Sequence, residues 1–161
     1  MQVSRGQNEP LSQQYDRVRQ HALAICDSLA VDDYGVQPVP DVSPPKWHLA
    51  HTSWFFETFL LKPRLAGYKP FDESYEYLFN SYYNGVGAQF PRTERGNLSR
   101  PTVDEVYAYR AHVDGNMRDL LTKNSTSDGV EDALGRAVVL GLQHEQQRHG
   151  RQQRHPAKWR Q

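Results

Sequence analysis

Four stretches of this chain repeat apolar residues at helical spacing, and that recurrence restricts its fold more than any other feature. Leu11, Tyr15, Val18, Ala22, Ile25 and Leu29 follow one another at steps of four and three. That interval lines side chains up on one face of an α-helix. In "SPPKWHLAHTSWFFETFLLKP", Trp47, His51, Trp54, Thr58 and Leu61 share a face. Ser43 is the expected N-cap there, the prolines suit the first turn, and Pro63 marks the end. A third helix opens at "SRPTVDEV", where Thr102 and Glu105 match a capping box. Val106, Val113, Met117 and Leu120 continue it until "KNSTSDG" stops it. A fourth, from near Val130, carries Leu134, Ala137 or Val138, Gly141, His144 and position 148 on one face. With no alternating strand pattern between them, the segments predict an all-α four-helix bundle.

The chain has 161 residues, enough for one domain with a real core. We divide it into an N-terminal tail (1–9), a bundle (10–147) and a basic C-terminal tail (148–161). The connection from Gly67 to Arg100 is far longer than ordinary helix–helix loops, yet it is rich in Tyr and Phe rather than disordered in composition. It reads either as a packed Ω-type loop or as a substrate-facing lid. Lysine plus arginine equal aspartate plus glutamate at 19 each, so overall charge gives no argument for nucleic acid. The tail after Gln147 holds Arg148, Arg151, Arg154, Lys158 and Arg160 with no acid. A solvated end is the expected reading, with neither a nucleic-acid nor a membrane partner. Neither a signal-type apolar segment nor a membrane span is present in the sequence, and a cytoplasmic location is the expectation. The single cysteine, Cys26, fits a reducing compartment and reads as helix packing rather than a nucleophile.

Two histidines, His51 and His144, sit on inward stripes of different helices. A lone histidine on an apolar face is more often a satisfied core residue than a ligand. Facing helices of a bundle, however, are where metal sites are assembled. Neutral imidazole suits Zn, Fe, Cu or Ni, and three with open positions make a reactive centre. Spacing alone leaves both readings open.

The segments "SPPKWHLAHTSWFFETFLL", "LFNSYYNGVG", "RGNLSRPTVDEVYAYRAHVD" and "LGLQHEQQ" together resemble the N-terminal domain of ergothioneine-biosynthesis sulfoxide synthases of the EgtB type, a DinB-like bundle. The resemblance spans about residues 10–147. It implies a non-haem Fe(II) held by three histidines: one matching His51, and two from an H-x-x-x-H pair whose first member matches His144. It implies O2-dependent joining of a thiol, cysteine or γ-glutamylcysteine, to trimethylhistidine as a sulfoxide. It also implies an R-x-x-R that holds the thiol substrate's carboxylates, matched in spacing by Arg92 and Arg95.

The chain departs from that pattern in "HEQQRH". An H-x-x-x-H pair places two imidazoles one turn apart on one face, but position 148 is Arg and the histidine falls at 149. Arginine offers donors only and cannot ligate a cation. Position 149 lies roughly 140° around an ideal helix from His144, and only an i→i+5 bulge would swing His149 back. His48, one turn before His51, is a second substitute ligand, more simply read as packing. In the resembling family a second domain follows, supplying much of the substrate pocket. The tail here reads instead as a truncation or frameshift product, with a separate second-domain protein as the candidate partner. The expectation is an impaired sulfoxide-synthase metal domain, inactive alone. A non-catalytic remnant and a DinB-like metal-dependent thiol transferase are the alternatives.

Overall fold

The computed structural model describes residues 9–81, 83–126 and 129–153, with the side chains of 126, 129 and 149–153 left out. Four long helices form the bundle. α1 is Leu11–Cys26 and α2 is Pro45–Phe56, continued by a π-turn at Glu57–Leu61 and a last α-turn at Lys62–Arg64. A short α3, Tyr75–Phe79, lies in the long connection. α4 is Val103–Lys123 and α5 is Asp132–Gln153. Single 3-10 turns occupy Val31–Gly35 and Arg92–Asn97. A two-residue antiparallel ladder, Ser125 against Val130 and Thr126 against Gly129, closes the turn between α4 and α5. Strand periodicity needs more than two residues, so the sequence carried no sign of it.

The α4 stripe is buried as its spacing predicts, through Val106, Val113, Met117 and Leu120, and the Thr102–Glu105 capping box forms in both directions. α2 buries more than the expected face, of which Trp47, His51, Trp54 and Leu61 are indeed buried. Every residue from Leu49 to Glu57 is buried, because α2 packs against α4 and α5 at once. A helix enclosed on all sides has no polar face to show. Its cap also differs. Pro44 occupies the N-cap and Pro45 the first turn, while Ser43 Oγ accepts a hydrogen bond from Arg95 at 2.9 Å. Prolines pre-set for a first turn moved the boundary by one residue and released the serine for a tertiary partner.

The core is not wholly apolar. Arg19 on α1 and Arg110 on α4, both 1% exposed, share Glu145 of α5, each at 3.1 Å. Arg19 also pairs with Asp114 at 2.7 Å, which accepts from the Tyr15 hydroxyl. Thr52 and Ser53 of α2 take further guanidinium protons. Two buried cations thus meet two carboxylates, the pairing that makes burial of charge tolerable. Glu57, on the π-turn, accepts from the hydroxyls of Tyr68 and Tyr109 and from the backbone N–H of Phe71, tying the long connection to the bundle. That connection is packed: Tyr75, Phe79, Asn80, Ser81 and Arg95 are all buried. Cys26 is buried too, and burial pushes its thiol up to about 11, as suits a packing residue.

Candidate metal centre

His51 stands in the middle of α2, fully buried, with its ring stacked on Trp47 and on Trp54. The long connection fixes its orientation. The carbonyl of Phe79, the last residue of α3, lies 2.6 Å from His51 Nδ1, and the carbonyl of Leu78 accepts from Trp47 Nε1 at 2.9 Å. A carbonyl can only accept, so Nδ1 carries the proton and Nε2 of the neutral ring presents a lone pair. A metal-ligating histidine is oriented by the same kind of partner. The "LFNSYYNGVG" motif holds these carbonyls in place. Asn80 donates to the carbonyls of Tyr83 and Gly87, Gly87 takes a φ of 143° open to glycine, and Tyr83 packs on Trp54 and Phe59.

His144 comes from α5. A glycine one turn earlier makes its approach possible. A Cβ on Gly141 would lie 2.6 Å from the Phe56 ring and 3.0 Å from that of Phe55. With hydrogen there instead, α5 closes on α2 and brings His144 Nε2 to 3.4 Å from His51 Nε2. Two nitrogens bound tetrahedrally at about 2.1 Å from one metal would be roughly 3.4 Å apart. The pair therefore has the spacing of two ligands of one ion. Nδ1 of His144 is buried with no hydrogen-bond partner among the described residues.

The third position is not a ligand. Arg148, one turn after His144, reaches across to α2 and its Nη2 lies 3.4 Å from His51 Nε2. Its guanidinium carbon is 6.0 Å from the Trp47 ring centroid. Both imidazoles are held in their neutral form. Burial, then the Arg148 charge, drives His51 well below the usual histidine range, and the same two causes bring His144 to about 4. Among the described residues, no cluster of three His, Cys, Asp or Glu side chains could hold a metal ion. Among the described side chains, the donor set supplies two of the three imidazoles of such a centre.

The other expected residues are distributed around this pair. His48 is half-buried, edge-on to Trp47, and does not complete the cluster. α5 is α-helical without interruption to Gln153, so the i→i+5 bulge that His149 requires is absent from it; the π-turn lies in α2. The His149 side chain lies outside the described residues. Arg95 is buried with its guanidinium 3.5 Å over the Trp47 ring and bonded to Ser43. It joins the surroundings of His51 through that tryptophan. Arg92 is half-buried on the same 3-10 turn, with its carbonyl accepting from Gln37. Residues 154–161 of the basic tail are not among those described. Sequence reasoning missed the Phe79 carbonyl and Glu145. The second had a signal, an acid beside a ligand on an inward stripe, but the first is a backbone group and had none.

Among curated proteins none matches this chain. The family model of the DinB superfamily matches residues 14–152, from the first turn of α1 almost to the end of α5, and the chain belongs to that metal-binding superfamily.

Proposed function

We propose that this chain is a metal-centre domain of the ergothioneine sulfoxide synthase type whose centre is not completed by its own residues. On this reading it binds Fe(II) weakly and does not turn over by itself. The observation that carries the reading is Arg148 Nη2 standing 3.4 Å from His51 Nε2 where a third imidazole would be needed. Descent from a working centre is supported by the ligand-like spacing of His51 and His144 and by the motif carbonyl that orients His51. The chemistry at issue joins a thiol, cysteine or γ-glutamylcysteine, to trimethylhistidine using O2, and Fe(II) would supply the oxygen activation. Of the arginine pair, Arg95 is engaged with Trp47 and Ser43, so its role here is to hold the tryptophan. Arg92 remains the candidate for a substrate carboxylate. A separate protein domain that walls the pocket is the partner this reading calls for.

Metal affinity depends on the number and geometry of ligands. Anaerobic titration with Fe(II) should accordingly give weak binding, and incubation with thiol, trimethylhistidine, Fe(II) and O2 should give no sulfoxide above a no-protein control by mass spectrometry. Tight one-to-one binding or clear product formation sinks the reading.

A further inference from the structure

A three-imidazole site without its metal leaves buried lone pairs facing one another. In this chain His51 Nε2 is such an acceptor, because Nδ1 is committed to the Phe79 carbonyl at 2.6 Å. Its surroundings offer the His144 ring at 3.4 Å, two tryptophan faces and the Arg148 guanidinium. Only the guanidinium is both a cation and a fixed set of donors. We propose that Arg148 is an internal replacement for the metal: a tethered cation that satisfies His51 Nε2, joins α5 to α2 as a bound ion would, and makes the folded bundle independent of metal.

Four observations converge on this. Arg148 starts from the position that a third ligand on the α5 face would occupy, one turn past His144. Its head ends at hydrogen-bond distance from the first ligand's free nitrogen. Its guanidinium carbon lies at the outer range of a cation–π contact with Trp47, whose ring also stacks on His51. Finally, the two imidazoles keep a metal-like separation although the cation between the helices is a side chain. A metal ion leaves when a chelator competes for it; a covalently attached guanidinium does not. The inference rests on the family reading above only for where the metal would sit, and its test is read in stability rather than in activity.

Thermal unfolding of the whole chain provides that test, with and without a chelator, for the wild type, Arg148→Met and Arg148→His. Methionine keeps an apolar stem but removes the charge and the donors. The wild type should melt at the same temperature with or without chelator. Arg148→Met should melt about 3–8 °C lower and not respond to Co(II). Arg148→His should melt lower in chelator and regain its stability with Co(II), accompanied by the visible absorption of imidazole-bound Co(II). A chelator-sensitive wild type overturns the inference, as does Arg148→Met melting with the wild type. If Arg148→Met fails to fold, Arg148→His decides: rescue by Co(II) supports the inference, and failure to respond overturns it. Tight metal binding by the wild type would instead strike at the family reading beneath it, a result separable from an unchanged Arg148→Met.

Discussion

Arg148 carries most of the chemical difference between this chain and a complete three-histidine centre. Arg148→His should raise Fe(II) affinity on the order of 100-fold or more, since even outer-shell changes at metal sites cost 10–100-fold. Arg148→Gln removes the charge without adding a ligand and should recover far less. Anaerobic titration of both variants separates the two effects, and equal recovery would show that repulsion alone was the obstacle. The same arginine sets a pH response. His144 titrates near 4 when folded and near its ordinary value of 6.5 when unfolded, so between those values the unfolded chain binds more protons. The stability from keeping it neutral is fully present above about 6.5 and is lost as pH falls toward 4. His51 is depressed further and extends the loss in the same direction. Equilibrium denaturation should therefore weaken steadily across that window. Arg148→Met should make the slope shallower, because one depressing cause is gone.

At the scale of elements, the meeting of α2 and α5 decides whether the two histidines face one another at all. Gly141→Ala places a methyl group where the Phe56 ring already stands, 2.6 Å away. Overpacking of this kind costs about 1–3 kcal/mol, and the expected result is a lower denaturation midpoint with an unchanged m-value. In the Arg148→His background the same change should also weaken metal binding, because His144 would be pushed off the axis of His51. The π-turn at Glu57–Leu61 belongs to this scale as well. It follows the site on α2 and places Glu57 beneath the hydroxyls of Tyr68 and Tyr109, so the long connection is anchored just beyond the helix that its carbonyls orient.

Across the whole molecule, one carboxylate holds three helices. Glu145 receives Arg19 from α1 and Arg110 from α4 while sitting on α5 beside His144, with both guanidiniums also bonded to Thr52 of α2. Glu145→Gln keeps the shape but leaves two buried cations facing only Asp114. Breaking a buried pair from one side costs about 3–5 kcal/mol. Chemical denaturation should register a loss of that size, and a variant as stable as the wild type would show that the network is dispensable. No helix among the described residues is long and apolar enough to cross a membrane. The network and the aromatic core together fill the inside of the bundle.

The sequence by itself determined the four helices, the Thr102–Glu105 cap, the inward stripes that carry His51 and His144, and Arg148 as a residue that cannot ligate. Each of these depends on side chains within a turn or two of one another, or on the chemistry of a single residue type. The tertiary structure alone decided what those residues meet. Ser43 lost its expected capping role to a partner 52 positions away, and α2 became buried beyond its one apolar face once enclosed by α4 and α5. The proton on His51 was fixed by a backbone carbonyl 28 residues on, and Arg148 crossed between helices to reach that ring rather than turning to solvent. Contacts between segments distant in the chain are set by how the helices pack, and periodicity along one helix carries no record of its neighbour.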